Sequence, residues 1–338
     1  MGQDNSGQFV SARHLTFAEA TALVGKILST DRVVIPARNE AGSIGSTIGH
    51  LLQTGFAPEQ IIIIVNHSTD KTAEIALMFG VTVRDQEAIL DLEIVAQLEK
   101  EYGVDPLRLR GKGTAMFAAC LELERAATPD DARIFFLDAD ITNLDEVSPI
   151  PLLLAGWESW NGDVRIVKLA SLGRNNEGIL ASLGLPRMPY MGIGALQWPL
   201  CGQMSLRWKD LRRMRGATRY AIEMAMLMDL LEREDTPAVF GEVELGTVLH
   251  DKKNNDHDHT VMYRGILAYI TQLLGLGGWR ELHTLTPQQV AEMNQESGKP
   301  HPFWAPAKVG TGVSTFQAFP LDAILPSVAE LQITMPTT

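Results

Sequence analysis

Cysteine is scarce in this chain: Cys120 and Cys201 are the only two in 338 residues. Two cysteines cannot staple a small secreted scaffold, so a disulfide framework is excluded and a reducing, cytoplasmic setting is expected. Long apolar runs are missing as well. No window reaches the ~18 uninterrupted apolar residues of a membrane span, and Met1–Val10 is too polar for a signal-peptide core. Positive charge is in deficit, with 29 Lys+Arg against 41 Asp+Glu and a net charge of −12. A diffuse negative excess argues against nucleic acid or an anionic membrane as partner, while leaving room for local basic sites. What the chain does have is 45% hydrophobic residues, enough to bury the core of one large or two modest domains.

Hydrophobic patterning predicts alternating strands and helices. Thr16 with Glu19 forms a capping-box pattern for a helix reaching Leu28. Arg32–Ile35 is a short apolar run stopped by Pro36, and Ile44–Leu52 reads as a helix. Ile61–Val65, four isoleucines and a valine, has the β-branched density of a strand buried on both faces. A helix over Thr69–Phe79, a strand starting at Val81–Val83, a helix over Thr114–Arg125 and a strand at Arg133–Leu137 continue the series. Such alternation implies βαβ units and a doubly wound, mostly parallel sheet. Further on, strands are expected at Val164–Leu169 and Val239–Leu245. Helices are expected around Ala221–Arg233, 261–274 and Thr286–Glu296, with a Gly/Pro/Met-rich loop at 173–202.

Five features carry possible chemistry. Val33–Glu40 runs from a strand into a polar loop, where an open α/β sheet binds ligands. Asp138-Ala139-Asp140 follows a buried strand; alternation would put both carboxylates on one side, able to hold a divalent cation and a ribose or phosphate oxygen. Gly111-Lys112-Gly113-Thr114 precedes a helix and suits a diphosphate, although Pro106 and Gly113 stand where a Walker motif requires other residues. The run from His250 to His259 holds three of the eight histidines, and His250, directly after an apolar run, is the best candidate metal ligand. Arg207, Lys209, Arg212, Arg213, Arg215 and Arg219 form a basic cluster that reads first as a solvated helix face and second as an anion-receiving patch. Met224, Met226 and Met228 read as core packing.

In order, the strand with Pro36 and Asn39-Glu40, the strand ending in Ser68-Thr69-Asp70, Gly111-Lys112-Gly113 and Asp138-Ala139-Asp140 resemble the GT-A glycosyltransferases, more distantly those of family 2. The second half is similar to the retaining glucosyl- and mannosyl-3-phosphoglycerate synthases of family 81. The segments are Val167-Lys168, Pro199-Leu200-Cys201-Gly202-Gln203, Tyr220-Ala221-Ile222-Glu223 and Leu245-Gly246 running to His250. The resemblance implies a cytoplasmic, homodimeric hexosyltransferase. It would move a sugar from a nucleotide-diphosphate sugar, UDP-glucose first, to a small anionic acceptor such as 3-phosphoglycerate, with Mg²⁺ or Mn²⁺ as cofactor. The likeness spans roughly residues 32–275 and implies a nucleotide-sugar half (31–145) and an acceptor half (146–280); an N-terminal extension (1–30) and a C-terminal helical extension (281–338) are expected outside it.

Carried onto this chain, the resemblance places Pro36, Ala37, Arg38 and Glu40 along the base and ribose, with Ser68 nearby. Lys112 approaches the phosphates or sugar, Asp138 contacts the nucleotide and belongs with Ala139 to the donor-binding set, and Asp140 with His250 ligates the metal. Glu223 stands beside the transferred sugar and Gly202 forms its floor; Glu223, Asp140 and Lys112 make up the catalytic set. The chain departs from the family at Ala139 (often Ser), at Gln203 (Glu) and at Asp251-Lys252-Lys253 (Arg-Asn-Arg). Its residues 173–195 hold no clean counterpart of the segment that grips phosphoglycerate. A nucleotidyltransferase making a sugar nucleotide is the enzymatic alternative, but it would carry a longer Gly-rich loop after the first strand. A non-catalytic sugar-nucleotide-binding protein is the other, against which the retained aspartates, His250 and Glu223 argue.

Overall fold

A computed structural model describes residues 11–160, 163–171, 196–232, 239–250, 266, 304–309, 312–318 and 324–331. The helices expected at 261–274 and 286–296, the loop at 173–195 and the residues after His250 in the His/Asp run lie outside the described residues, Ile266 excepted.

Eight strands form one sheet. They are β1 (Ser11–Leu15), β2 (Arg32–Ala37), β3 (Ile61–Val65), β4 (Thr82–Asp85), β5 (Arg133–Phe136), β6 (Ile166–Ser171), β7 (Met204–Arg207) and β9 (Val239–Leu245). Their order is β1-β9-β6-β7-β5-β2-β3-β4. Every pairing is parallel except those of β7, which runs antiparallel to both β5 and β6. The sheet is therefore the mostly parallel α/β sheet expected, with one reversed strand in its middle. The short β8 (Gly216–Ala217) pairs with β12 (Ile324–Leu325), and β10 (Trp304–Val309) pairs antiparallel with β11 (Gly312–Ala318). The described residues of the C-terminal extension, expected to be helical, are therefore mostly strand.

All five residues of β3 are buried, which is why that stretch carries no polar alternation. Side chains alternate between two cores. On one face Val34, Ile62, Ile64, Ile134, Phe136, Ile166 and Phe240 pack with helix α6 (Gly111–Arg125) and with Met224, Met226 and Met228. On the other, Val33, Ile35, Ile61, Ile63, Phe135 and Val167 pack with α2 (Ile44–Thr54) and α8 (Pro149–Trp160). The three methionines are core, as their spacing suggested.

Several boundaries differ from the sequence expectation. The capping box of Thr16 and Glu19 is present, but α1 ends at Thr21. α3 spans Thr72–Leu77 because Ser68–Lys71 are used as loop. Helices α4 (Gln86–Ile89) and α5 (Leu92–Tyr102) fill a stretch left unassigned from the sequence. Yet Asp91 caps α5 by accepting from the amides of Glu93 and Ile94, and Gly103 ends it at φ +65°. α8 was hidden by Pro149 and Pro151, which a first helical turn tolerates. Residues 11–15, within the N-terminal extension of the sequence reading, form the edge strand β1 beside β9.

Pro36 does not stop β2; the strand continues to Ala37. The backbone explains this. Val34 O accepts from Leu137 N on the β5 side, and Ala37 O accepts from Asn66 N on the β3 side. Alternation turns the nitrogen of Pro36 toward β5, whose pairing with β2 ends at Val34. No ladder bond is lost by having proline there.

Candidate functional site

The chain leaves β2 for β3 and β4 on one side, then returns to place β5 on the other. β2 and β5 therefore flank a topological switch point, where open α/β sheets form a ligand crevice beyond the strands' carboxyl ends. Pro36–Glu40 and Asp138–Asp140 stand there.

One wall of the crevice is zipped by neutral and backbone hydrogen bonds. Asn39 N donates to Ser68 Oγ at 3.0 Å, and Thr69 N donates to Asn39 Oδ1 at 2.8 Å. Glu40 N donates to Thr72 Oγ1 at 2.7 Å, and Ala41 N donates to Asp70 Oδ2 at 3.0 Å. Asn39 and His67 hold φ of +56° and +48°, strained for residues with a Cβ, and these bonds hold the loops in that shape. Arg38 is exposed beside them and Pro36 is half-buried. Ala37 and Ala139 are buried, at 1% and 3% exposure. The oxygen of Ala139 accepts from Thr47 Oγ1, so this residue contributes backbone shape rather than a ligand contact through its side chain.

The opposite wall is held by charge. α6 begins at Gly111, so Lys112 lies in its first turn rather than in a loop before it. Lys112 Nζ is 2.5 Å from Asp138 Oδ1 and 2.9 Å from Glu223 Oε1, the latter in the first turn of α10 (Ile222–Glu232). Burial by itself pushes the Lys112 ammonium down, but Asp138 and Glu223 outweigh it and hold the group well above its ordinary range. Asp138 Oδ2 accepts from Gln203 Nε2 at 2.6 Å, and the Cys201 thiol donates to Gln203 Oε1 at 2.9 Å. These two contacts give the amide one orientation. A Cβ on Gly202 would run into Lys112 Nζ and come within 3.0 Å of Asp138 Oδ2, so a side chain here would push the lysine tip out of its present ion pair. Gly113 has a related role: a Cβ there would meet the main chain of 217–219, against which α6 is packed.

Asp140 lies apart from this cluster. A single antiparallel bridge joins Ile141 to His250, reinforced by Thr142 N donating to Leu249 O at 2.8 Å. It brings His250 Nδ1 to 3.0 Å from Asp140 Oδ1. No group of three or more His, Cys, Asp and Glu able to hold a metal occurs among the described residues. A carboxylate oxygen beside an imidazole nitrogen still fits Mg²⁺ or Mn²⁺ when ligand oxygens fill the other positions.

The structure thus corrects two expectations. The two aspartates do not act from one side of a strand: β5 ends at Phe136, and the turn that follows sends Asp138 to Lys112 and Asp140 to His250. The basic run is not a solvated helix face either. Trp208–Leu211 is the one α-helical turn in it (α9), and Arg219 opens a 3₁₀ turn. Arg207 sits over the Trp157 ring, Arg212 pairs with Glu124 and Arg215 pairs with Asp229, while Lys209 and Arg213 are exposed. Two residues of the site region were missed. Lys168 and Glu242 are 0% and 1% exposed, in β6 and β9, and lie side by side in register. For Lys168 the signal was a lone charge in an otherwise apolar strand, Ile166-Val167-Lys168-Leu169, whereas Glu242 shares β9 with Glu244 and carries no such mark.

Solved structures with this architecture exist. A glucosyl-3-phosphoglycerate synthase from Mycobacterium tuberculosis, in complex with Mn²⁺, UDP and phosphoglyceric acid, superposes with a TM-score of 0.61 at 22% identity, covering 92% of each chain. The same enzyme with Mg²⁺ and UDP gives 0.60 at 21% identity, over 95% of this chain and 98% of that one. The fold is GT-A. With Mn²⁺, UDP-glucose and glycerol 3-phosphate, the mycobacterial GT-A enzyme gives 0.59 at 23% identity over 92% of each chain. The sequence model for "Glycosyl transferase family 2" matches residues 32–89, the β2–β4 part of the GT-A sheet. No curated protein sequence matches the chain. No helix among the described residues is long and apolar enough to cross a membrane.

Proposed function

We propose that this protein is a divalent-cation-dependent, retaining glycosyltransferase that moves a hexose from a nucleotide-diphosphate sugar, UDP-glucose, to a small anionic acceptor, 3-phosphoglycerate. One observation carries the reading: Lys112, Asp138, Glu223 and Gly202 converge at the switch-point crevice, with the Asp140–His250 pair on the same turn. The matching GT-A structures, described as holding UDP or UDP-glucose with Mn²⁺ or Mg²⁺ and in some cases phosphoglycerate, support the donor and acceptor chosen.

In this reading Pro36, Ala37, Arg38, Glu40 and Ser68 line the base and ribose. The zipped loops present main-chain groups in a fixed shape, so little ordering is left for binding to do. Asp140 and His250 hold Mg²⁺ or Mn²⁺. When bound, that cation supplies positive charge against the departing diphosphate. Lys112 adds a permanent ammonium on the same side, placed before the reaction by its two carboxylates. Glu223 and Gly202 form the side and floor of the sugar pocket; Glu223 orients the hexose and is not assigned as a covalent nucleophile. The acceptor hydroxyl approaches from the face the diphosphate leaves, which preserves the anomeric configuration. The enzyme would act as a homodimer in the cytoplasm.

The test is a transfer assay with UDP-glucose and Mn²⁺, with and without 3-phosphoglycerate, read by mass and by proton NMR of the anomeric centre. Expected is an α-linked product that requires the cation and falls below about one-hundredth of its rate in Asp140→Ala and His250→Ala. Slow donor hydrolysis with no transfer to any phosphorylated or carboxylated acceptor would overturn the acceptor. Absence of UDP binding would overturn the whole reading.

A further inference from the structure

Lys168 and Glu242 are buried charges in the middle of the sheet, and neither has a place in the scheme above. An ammonium and a carboxylate in such an interior need directed partners. Their main-chain partners all belong to one short segment. Lys168 Nζ donates to Cys201 O at 2.7 Å and touches Met204 Sδ at 3.6 Å. Glu242 accepts from Gln197 N at 2.8 Å and from Trp198 N at 2.7 Å, with His14 Nδ1 3.2 Å away on β1. Leu169 N, next to Lys168, donates to Gln203 O at 3.1 Å. The segment 197–203 is thus gripped by its first amides and its last carbonyls, from two strands paired at Lys168 and Glu242.

The far end of that segment is the floor of the charged wall. Gly202 lies under Lys112 and Asp138, and Gln203 donates to Asp138. We propose that Lys168 and Glu242 are positioning residues that hold segment 197–203 against the sheet, so that Gly202 and Gln203 keep Lys112 and Asp138 in the geometry that receives the transferred sugar. The proposal rests on the glycosyltransferase reading and deepens it. It assigns the buried pair to the sugar end of the donor, and leaves the nucleotide end to the β2–β3 loops, which share none of these contacts. A shift of the floor by even part of an ångström would then lower turnover without weakening the grip on nucleotide.

The experiment uses the full chain as Lys168→Met and Glu242→Gln, with three readouts: amide hydrogen exchange over 196–203, calorimetric affinity for UDP and for UDP-glucose with Mn²⁺, and kcat. In the wild type the Gln197 and Trp198 amides should be protected, and both variants should expose them. Lys168→Met should keep UDP affinity within about twofold, lose the extra affinity that the glucose moiety confers, and drop kcat by about 30-fold or more. Glu242→Gln, which keeps the shape and one acceptor, should show the same pattern more weakly. Wild-type Gln197 and Trp198 amides exchanging at open-loop rates would overturn the proposal even if neither variant folds. So would a Lys168→Met kcat within about threefold of wild type, or UDP affinity falling in step with kcat. A wild type that binds no UDP and transfers no sugar would refute the glycosyltransferase reading, while exchange at 197 and 198 would still report on the anchoring.

Discussion

The two walls of the crevice are held by opposite means. The loops after β2 and β3 are joined by amides, hydroxyls and side-chain acceptors such as Ser68, Thr72 and Asn39, each bond worth about 1 kcal/mol and replaceable by water. The wall formed by α6, α10 and residues 201–203 is held by the ion pairs of Lys112 with Asp138 and Glu223, which water replaces less easily because Glu223 is buried and the other two are partly buried. Many weak bonds make a surface that keeps its shape when one is lost. A few strong ones place charge where a reaction needs it, and they make every member indispensable.

Breaking the charged wall should have the largest effect. Lys112→Met leaves Asp138 and Glu223 facing each other across an apolar side chain. A kcat loss of about 10²–10³-fold is expected, with about 3 kcal/mol less stability in urea unfolding. The pH dependence follows from the raised pKa of Lys112. A base raised in the folded state contributes fully below its unfolded value of 10.5 and is lost only as pH climbs through the folded value. Stability from this cluster should therefore show no alkaline break between about pH 7 and 9. An alkaline break there in the wild type that disappears in Lys112→Met would refute the assigned ion pairs.

Gly202→Ala pushes a methyl group into the same ion pair, and about 1–3 kcal/mol of stability and about tenfold in kcat should go while UDP affinity stays. Wild-type kinetics in this variant would mean that the floor is not part of the sugar pocket. Gln203→Glu replaces the amide donor to Asp138 with a second carboxylate. Like-charge repulsion should cost about tenfold in kcat while UDP affinity stays within about threefold. Wild-type kcat in this variant would show that the 2.6 Å contact does not set the position of Asp138. Smallest of all should be Thr72→Val in the zipped wall: about 1 kcal/mol of stability, kcat unchanged, and at most a few-fold weaker UDP binding by calorimetry. A large loss there would erase the contrast between the walls.

Much of the fold was legible because its signals are local. Ile61–Val65 announces burial on both faces, and the Thr16–Glu19 capping box marks the start of a helix. Met224, Met226 and Met228 read correctly as core. Less was legible where proline or charge departs from the local rule. Pro36 stays inside β2 because of which neighbour its nitrogen faces, and Pro149 hides a helix it actually begins. The basic run 207–219 looked like one surface, but Arg207, Arg212 and Arg215 find partners on α8, α6 and α10.

The sequence by itself determined the strands β2 to β6 and β9, the Thr16–Glu19 cap, and the order in which Pro36–Glu40, Lys112, Asp138–Asp140, Glu223 and His250 occur, while β1 and the reversed strand β7 left no signal that was read. Those properties depend on side-chain period, branching and caps, which act within a few residues. Only the tertiary structure decided that Asp138 and Asp140 part company, that a side chain at Gly202 would meet Lys112, and that Lys168 and Glu242 grip the same segment. Such relations join residues 26 to 110 positions apart. They depend on strand order and register, set by how the whole sheet buries its two faces.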